Sequence, residues 1–214
     1  MTDKKRQLEE LKKELESKAG RLPLIKKPTD VIFGEGKYNA KIMFIGEAGG
    51  YWEAKLRRPF VGNAGKLLDQ LIKSVGLKRN EVYISNVVKA RPPENRDPLA
   101  EEIEAFRPYL DKEIEIVDPK IIVTLGRFSM NKFLPGEYIS QVHGQGRFVD
   151  FNGKRFIVIP MYHPAAGLRN GRIMTELKKD FQKISKFLED ELEPVEETVK
   201  EKKQESQQEQ LKIL

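Results

Sequence analysis

The chain has 214 residues, 39% hydrophobic and 34% charged, which suits one domain with a substantial core and polar extensions. With no cysteine and two histidines, it excludes disulfides, thiolate metal sites, cysteine-held iron–sulfur clusters and a cysteine nucleophile, and it leaves little for a histidine-rich metal site. The net charge of +6 is uneven: residues 189–214 hold nine acidic and four basic side chains, a net of −5, so residues 1–188 carry +11 and point to a polyanionic partner, though ribosomal, membrane-surface and nucleotide-binding proteins share such basicity.

Leu8, Leu11 and Leu15 stand at helical spacing in a charged segment, so residues 4–17 are expected to form an amphipathic helix. After a turn around Gly20, residues 40–45 (AKIMFI) read as a buried strand that stops at a glycine-rich turn. Residues 64–76 read as a helix with Leu67, Leu68, Leu71 and Ile72 inward, and residues 82–88 as a second strand. A long helix over 99–117 stops before Asp118-Pro119; a third strand (121–125) and a short helix (127–133) follow. Residues 146–151 and 154–160 flank Asn152-Gly153, a strong two-residue hairpin signal, and a last helix spans about 172–188. From residue 191 the chain is Glu, Lys and Gln with few apolar residues, a composition expected to be disordered or a frayed helix.

Strands alternating with helices imply an α/β fold, a three-layer α/β/α sandwich on a central, mainly parallel four-stranded sheet. The expected organisation is an N-terminal helix over 1–20, a folded body over 21–188 and an acidic tail over 189–214. No apolar run is long enough to span a bilayer, and the opening MTDKKRQLEELKK lacks a signal-peptide pattern, so a cytoplasmic protein with no membrane contact is expected. In such sheets ligands bind beyond the carboxyl ends of the strands. That rule gathers residues 46–50 (GEAGG), the Asn86 segment and the His163 loop, at the ends of the first, second and fourth main strands.

GEAGG is not GxGxxG and lacks the Lys-Ser/Thr of a phosphate loop, so alone it is a tight turn. Glu47 is its anomaly, because a carboxylate at the end of a buried strand is costly unless used or well hydrogen-bonded. Three further segments matter: Arg58-Pro59-Phe60-Val61-Gly62-Asn63-Ala64-Gly65-Lys66-Leu67-Leu68, with an aromatic just before a helix; Asn86-Val87-Val88-Lys89-Ala90-Arg91-Pro92-Pro93, with an amide near a strand end and two cations after it; and His163-Pro164-Ala165-Ala166 after the last strand. Together with GEAGG they resemble the type-four uracil-DNA glycosylases, whose motifs run roughly GE(A/G)PGxxED, GRPFVGxAGxLL, NVVKCRPPxNRxP and HPAxLLR. The resemblance covers residues 23–188.

The resemblance implies a monofunctional, metal-independent enzyme that flips uracil out of DNA and hydrolyses its N-glycosidic bond to leave an abasic site. Phe60 would be the stacking face, although a plain core phenylalanine is the bland alternative. Asn86 offers a donor and an acceptor to N3–H and O4 of uracil, where cytosine presents the opposite pattern; a structural cap is its alternative. His163 corresponds to a histidine near uracil O2, where a donated hydrogen bond stabilises the departing anion, and Glu47 would support the oxocarbenium charge and orient water. Glu53 matches the first acid of the family's ED pair, near uracil C5, against the alternative of a surface glutamate; Ala48 is grouped with the uracil-binding residues. Lys89, Arg91, Arg96 and Arg169 would contact phosphates, and Leu168 would be a wedge for the gap in the stack.

The four cysteines that hold the family's iron–sulfur cluster would fall at Ala19, Leu22, Ala90 and Phe106, so no cluster is expected and packing is expected to refill its volume. Gly49 replaces the proline of GEAPG, Ala54 the second acid, Arg57 a glycine, His143 an arginine before Gly144, and Gly167 a leucine. Nothing after Lys89 matches the basic loop of a cross-linking relative, so turnover is expected over covalent capture. Gln210-Leu211-Lys212-Ile213-Leu214 resembles the sliding-clamp-binding pentapeptide QLxLF, against mere composition or a helix end. A monomer is expected. The alternatives are a catalytically weak DNA-binding or clamp-tethered member of the fold, or a glycosylase for hypoxanthine or xanthine.

Overall fold

A computed structural model describes residues 3–189. The pentapeptide at 210–214 and nearly all of the tail lie outside the described residues. The elements in chain order are α1 (Asp3–Ser17), β1 (Glu35–Gly36), β2 (Ile42–Gly46), α2 (Tyr51–Leu56), α3 (Asn63–Ser74), β3 (Tyr83–Asn86), α4 (Ala100–Val117), β4 (Ile121–Leu125), α5 (Arg127–Asn131), α6 (Ile139–Val142), β5 (Arg147–Phe151), β6 (Lys154–Met161), α7 (Pro164–Arg169) and α8 (Gly171–Glu189).

The sheet has the order β1-β3-β2-β4-β6-β5. Its inner four strands, β3, β2, β4 and β6, run parallel as the apolar runs imply. Two antiparallel edges extend the expected four strands to six: β5 is the first arm of the Asn152-Gly153 hairpin, and β1 pairs Glu35 with Ile84 and Gly36 with Tyr83. Two residues of strand carry no periodicity, which is why β1 leaves no trace in the sequence pattern.

Alternation along each buried strand divides the core into two layers. Met43 and Ile45 face the α1/α4 side with Leu8, Leu11, Leu15, Phe106 and Ile114. Ile42 and Phe44 face the α3/α8 side with Leu68, Leu71, Leu177 and Phe181. The N-terminal helix therefore buries its apolar stripe in the same cluster as α4, and Lys4 Nζ donates to Val117 O at the end of α4 (2.9 Å).

One expected surface residue belongs to this core. Lys89 is fully buried and pairs with Glu113 of α4, so it does not reach a phosphate. The Glu113 carboxylate also accepts hydrogen bonds from Ser85 Oγ (2.7 Å), Tyr83 OH (3.2 Å) and Gly34 N (3.0 Å). Burial lowers the pKa of the Lys89 ammonium, and Glu113 opposes that shift. The pair pins the segment after β3 to α4. Glu113→Leu is expected to destabilise the fold by about 3–5 kcal/mol, because it strands a buried cation, and adding Lys89→Met should recover part of that loss. Urea denaturation of the two variants checks it; a double variant weaker than the single would be the contrary result.

Candidate active site

The carboxyl ends of the inner strands are locked together before any side chain is considered. Gly46 is in register with Asn86, and beyond the ladder Val87 N donates to Gly46 O (3.0 Å) and Val88 N to Glu47 O (2.9 Å). Gly126 N, just after β4, donates to Met161 O at the end of β6 (2.8 Å). A cavity of about 570 Å³ opens at this edge, with Glu47, Ala48, Glu53, Phe60 and His163 in its wall and Arg96 and Arg169 at its polar side.

Glu47 follows β2. Burial raises its pKa from 4.5 to about 7, and Asp97 adds to the shift while Arg127 and Arg169 oppose it. Gly126 makes its position possible: a Cβ there would lie 2.7 Å from Glu47 Oε2.

His163 is the N-cap of α7, and its Nδ1 accepts a hydrogen bond from Ala165 N (3.1 Å). An accepting Nδ1 puts the ring proton of the neutral imidazole on Nε2. Burial lowers the pKa to about 4, with Arg169 acting in the same direction and Glu53 against it. The side chain is thus a neutral N–H donor near pH 7. Its ring stands 5.5 Å from that of Phe60, centroid to centroid, at an interplanar angle of 29°.

Phe60 has a left-handed backbone (φ 51°) and a buried ring. Glu53 and Arg79 hold that conformation from two sides. The Glu53 carboxylate accepts from Val61 N (2.8 Å), Gly62 N (2.7 Å) and Gly50 N (3.1 Å). Arg79 donates to Phe60 O (3.0 Å) and Pro59 O (2.6 Å). Glu53 is therefore neither a free surface glutamate nor only a wall of the cavity; it ties the GEAGG turn to the Phe60 loop.

Asn86 is buried beside Gly46 and near the Phe60 ring, and neither its Oδ1 nor its Nδ2 has a hydrogen-bond partner among the described residues. A Cβ on Gly46 would come 2.5 Å from Asn86 Oδ1 and from the Phe60 ring, so only glycine leaves room there. Arg91 stands one step outside the wall, donating to Asn95 Oδ1 (2.8 Å), and Leu168 is exposed on α7. Lys89 is absent from the site for the reason given above.

Four residues at this edge were not expected from the sequence. Gly126 and Arg127 follow β4, Asp97 pairs with Arg127, and Tyr162 precedes His163; all four line the cavity. Gly126 and Arg127 follow the third main strand, so the rule that ligands sit beyond strand ends covers them too.

Ala19, Leu22, Ala90 and Phe106, the positions where the resemblance puts cluster-binding cysteines, share one apolar cluster: Ala90 and Phe106 are fully buried in it and the other two pack against it. None offers a donor atom, so these residues do not fit an iron–sulfur cluster.

Residues 33–190 match the family model described as the uracil DNA glycosylase superfamily. The chain is 51% identical over 162 residues to a type-4 uracil-DNA glycosylase of Sulfurisphaera tokodaii, covering 73% of this chain and 74% of that one. It is 46% identical over 165 residues to one of Saccharolobus solfataricus (74% and 76%) and 44% identical over 169 residues to one of Archaeoglobus fulgidus (77% and 85%).

The shifted carboxyl makes a prediction about stability. With a folded pKa of about 7 against 4.5 unfolded, the native state holds a proton that the unfolded chain has lost, so this group's contribution to stability falls as pH rises through that window and levels off above it. Glu47→Gln removes the cost. It should match the wild type near pH 4.5 and exceed it by on the order of 2 kcal/mol above pH 7, after allowance for solvent screening. The opposite trend from His163 is common to both proteins and cancels. Denaturant melts at pH 5 and pH 8 measure the difference.

Proposed function

The chain belongs to the uracil DNA glycosylase superfamily, and from that premise we propose that it is a monofunctional uracil-DNA glycosylase whose cavity receives a uracil swung out of DNA. Phe60 stacks on the base. The observation that carries this is the buried, unpartnered amide of Asn86. Leaving its donor and acceptor unmet costs about 1–3 kcal/mol for each, and a uracil edge, with N3–H and O4 side by side, supplies both partners.

The chemistry follows from the two titratable groups. As the C1′–N1 bond breaks, its electron pair goes to the base, and the charge gathers partly at O2. His163 Nε2–H donates there as a neutral imidazole. The ionised Glu47 carboxylate stabilises the positive charge left on the sugar and orients the water that attacks C1′. Water's oxygen joins C1′ and keeps one proton as the new hydroxyl; the other passes to Glu47 or solvent, and the departing uracil anion takes up a proton from solvent at N1, giving free uracil and an abasic site. Arg91, Arg96 and Arg169, with Arg127 in place of Lys89, engage phosphates, and Leu168 fills the vacated stack.

This enzyme works without an iron–sulfur cluster, since alkyl and aryl groups occupy the positions that would ligate it. It acts as a monomer on uracil-containing DNA in the cytoplasm. Among the described residues no helix is long and apolar enough to cross a membrane. The tail's Gln210-Leu214 pentapeptide tethers it to a sliding clamp, and deleting residues 210–214 should abolish clamp retention without lowering activity on a free oligonucleotide.

Purified protein should release uracil from strands carrying U:G, U:A or single-stranded U, scored by alkaline cleavage, with hypoxanthine strands as the contrast. Glu47→Ala and Asn86→Ala should each lose about 10²–10⁴-fold in kcat/KM. Wild-type kcat/KM should climb with pH up to about 7 and then level, as Glu47 ionises. His163, at about 4, adds no limb above pH 5. A flat profile, or uracil strands left intact, would refute the assignment. Iron analysis and visible absorbance of freshly purified protein test the cofactor statement, and a bound cluster would overturn it.

A further inference from the structure

Resting on the glycosylase reading but reaching beyond it, we propose that Tyr51 and Trp52 form a stacking platform for unpaired bases beside the excised nucleotide, so that the enzyme is built to work on single-stranded DNA. Among the described residues few large apolar side chains are exposed, and three of them, Tyr51 (53%), Trp52 (52%) and Leu56 (53%), share the short helix α2. Together they make a contiguous exposed apolar patch of the kind that marks an interaction site.

Their surroundings identify what that is. The Arg91 guanidinium lies 5.3 Å from the Tyr51 ring centroid, and the Lys55 ammonium 5.3 Å from that of Trp52. The two rings meet edge to face, 5.3 Å apart at 82°, so their flat faces point in different directions. Aromatic faces interleaved with cations are how proteins hold single strands: every base has a face to stack, and every nucleotide brings a phosphate. A flat apolar partner would meet two fixed positive charges here.

The platform is also continuous with the cavity. Gly50, immediately before Tyr51, and Glu53, on the same turn of α2, both line it. Arg91 reaches the rim through Asn95. Trp52 Cδ1 lies 3.7 Å from where a Cβ on Gly62 would sit, in the loop that carries Phe60. A strand whose uracil enters the cavity can lay a neighbouring nucleotide across this adjoining surface. In a duplex that neighbour is stacked and paired, and its face cannot be presented to an aromatic; in a single strand it can.

Trp52 is the only tryptophan in the chain, so its emission reports the platform directly. Full-length protein carrying Glu47→Gln, to prevent turnover, is titrated with a labelled uracil-bearing strand, alone or as a duplex, while emission and anisotropy are followed together. The single strand should quench Trp52 and the duplex should not. Replacing one flanking nucleotide by an abasic analogue should abolish the quenching on one side of the uracil only. Trp52→Ala should weaken single-strand binding about 5- to 100-fold, Trp52→Phe should retain most of it, and duplex binding should change less than about twofold. Unchanged emission at saturating single strand, or equal losses on both substrates, overturns the platform, and a protein partner would then be the occupant to seek. Uracil release by the unsubstituted protein on the same strands separates the two failures. Release without a Trp52 response sinks the platform alone, whereas no release from any strand sinks the glycosylase reading.

Discussion

A phenylalanine held in a backbone conformation it would not choose is the constraint on which the site depends. At φ 51°, Phe60 sits where non-glycine residues lose about 1–2 kcal/mol. The conformation persists because both flanking peptide groups are claimed. Glu53 takes the amides of Val61 and Gly62, and Arg79 takes the carbonyls of Pro59 and Phe60. Arg79 is itself fixed by Asp69 and Glu35. Burial pushes the Glu35 carboxyl up, but hydrogen bonds from Arg58 and Arg79 outweigh it and keep the group below the usual carboxylate range. A Cβ on Gly65 would collide with the Phe60 carbonyl, so α3 starts hard against the same loop. The ring is thereby fixed by the protein itself, and under the proposed reading a stacking surface placed in advance loses little entropy on binding.

The same burial that shapes the cavity divides the labour between its two titratable groups. Desolvation opposes charge on both, so it raises the Glu47 carboxyl and lowers the His163 imidazole. The outcome is asymmetric, because one group gives up a proton near neutrality and the other stays uncharged. In the proposed reaction, a neutral imidazole donates to a developing oxyanion without adding a cation next to the sugar, where positive charge also develops. Asp97, Arg127 and Arg169 tune the carboxyl from the rim, which ties the polar side of the cavity to its reactive side.

Most of this was legible in the sequence for a physical reason. Strands buried on both faces read as continuous apolar runs, and parallel strands deliver their carboxyl ends to one edge, so the order of elements alone gathers Glu47, Asn86 and His163. What escaped lacked a local pattern. β1 is two residues long, and the strained Phe60 backbone depends on Arg79, nineteen residues away. Lys89 looked like a surface cation because its partner lies in another element. Yet Glu113 falls at helical spacing with Phe106, Tyr109 and Leu110 on the buried face of α4, and a carboxylate on an apolar stripe asks for a buried cation. Tyr51 and Trp52 carry no signal in the sequence because they occupy the two variable positions of the first motif.

The cysteine-free core bears on how much of the site rests on any one device. The segment carrying Lys89 and Ala90 supports the GEAGG turn directly, through the hydrogen bond from Gly49 N to Ala90 O (3.3 Å) and, one step away, from Ile32 N to Lys89 O (2.7 Å). That segment is held by two independent means: the buried Lys89–Glu113 pair on one side, and the close packing of Ala90 and Phe106 on the other. Ion pairing resists displacement of the cation along α4, while packing resists separation of the layers. Neither requires a ligand sphere. The backbone that positions Glu47 can therefore be rigid with hydrocarbon where a ligated group would otherwise brace it, and the reactive edge inherits its geometry from the sheet and from the clamped Phe60 loop.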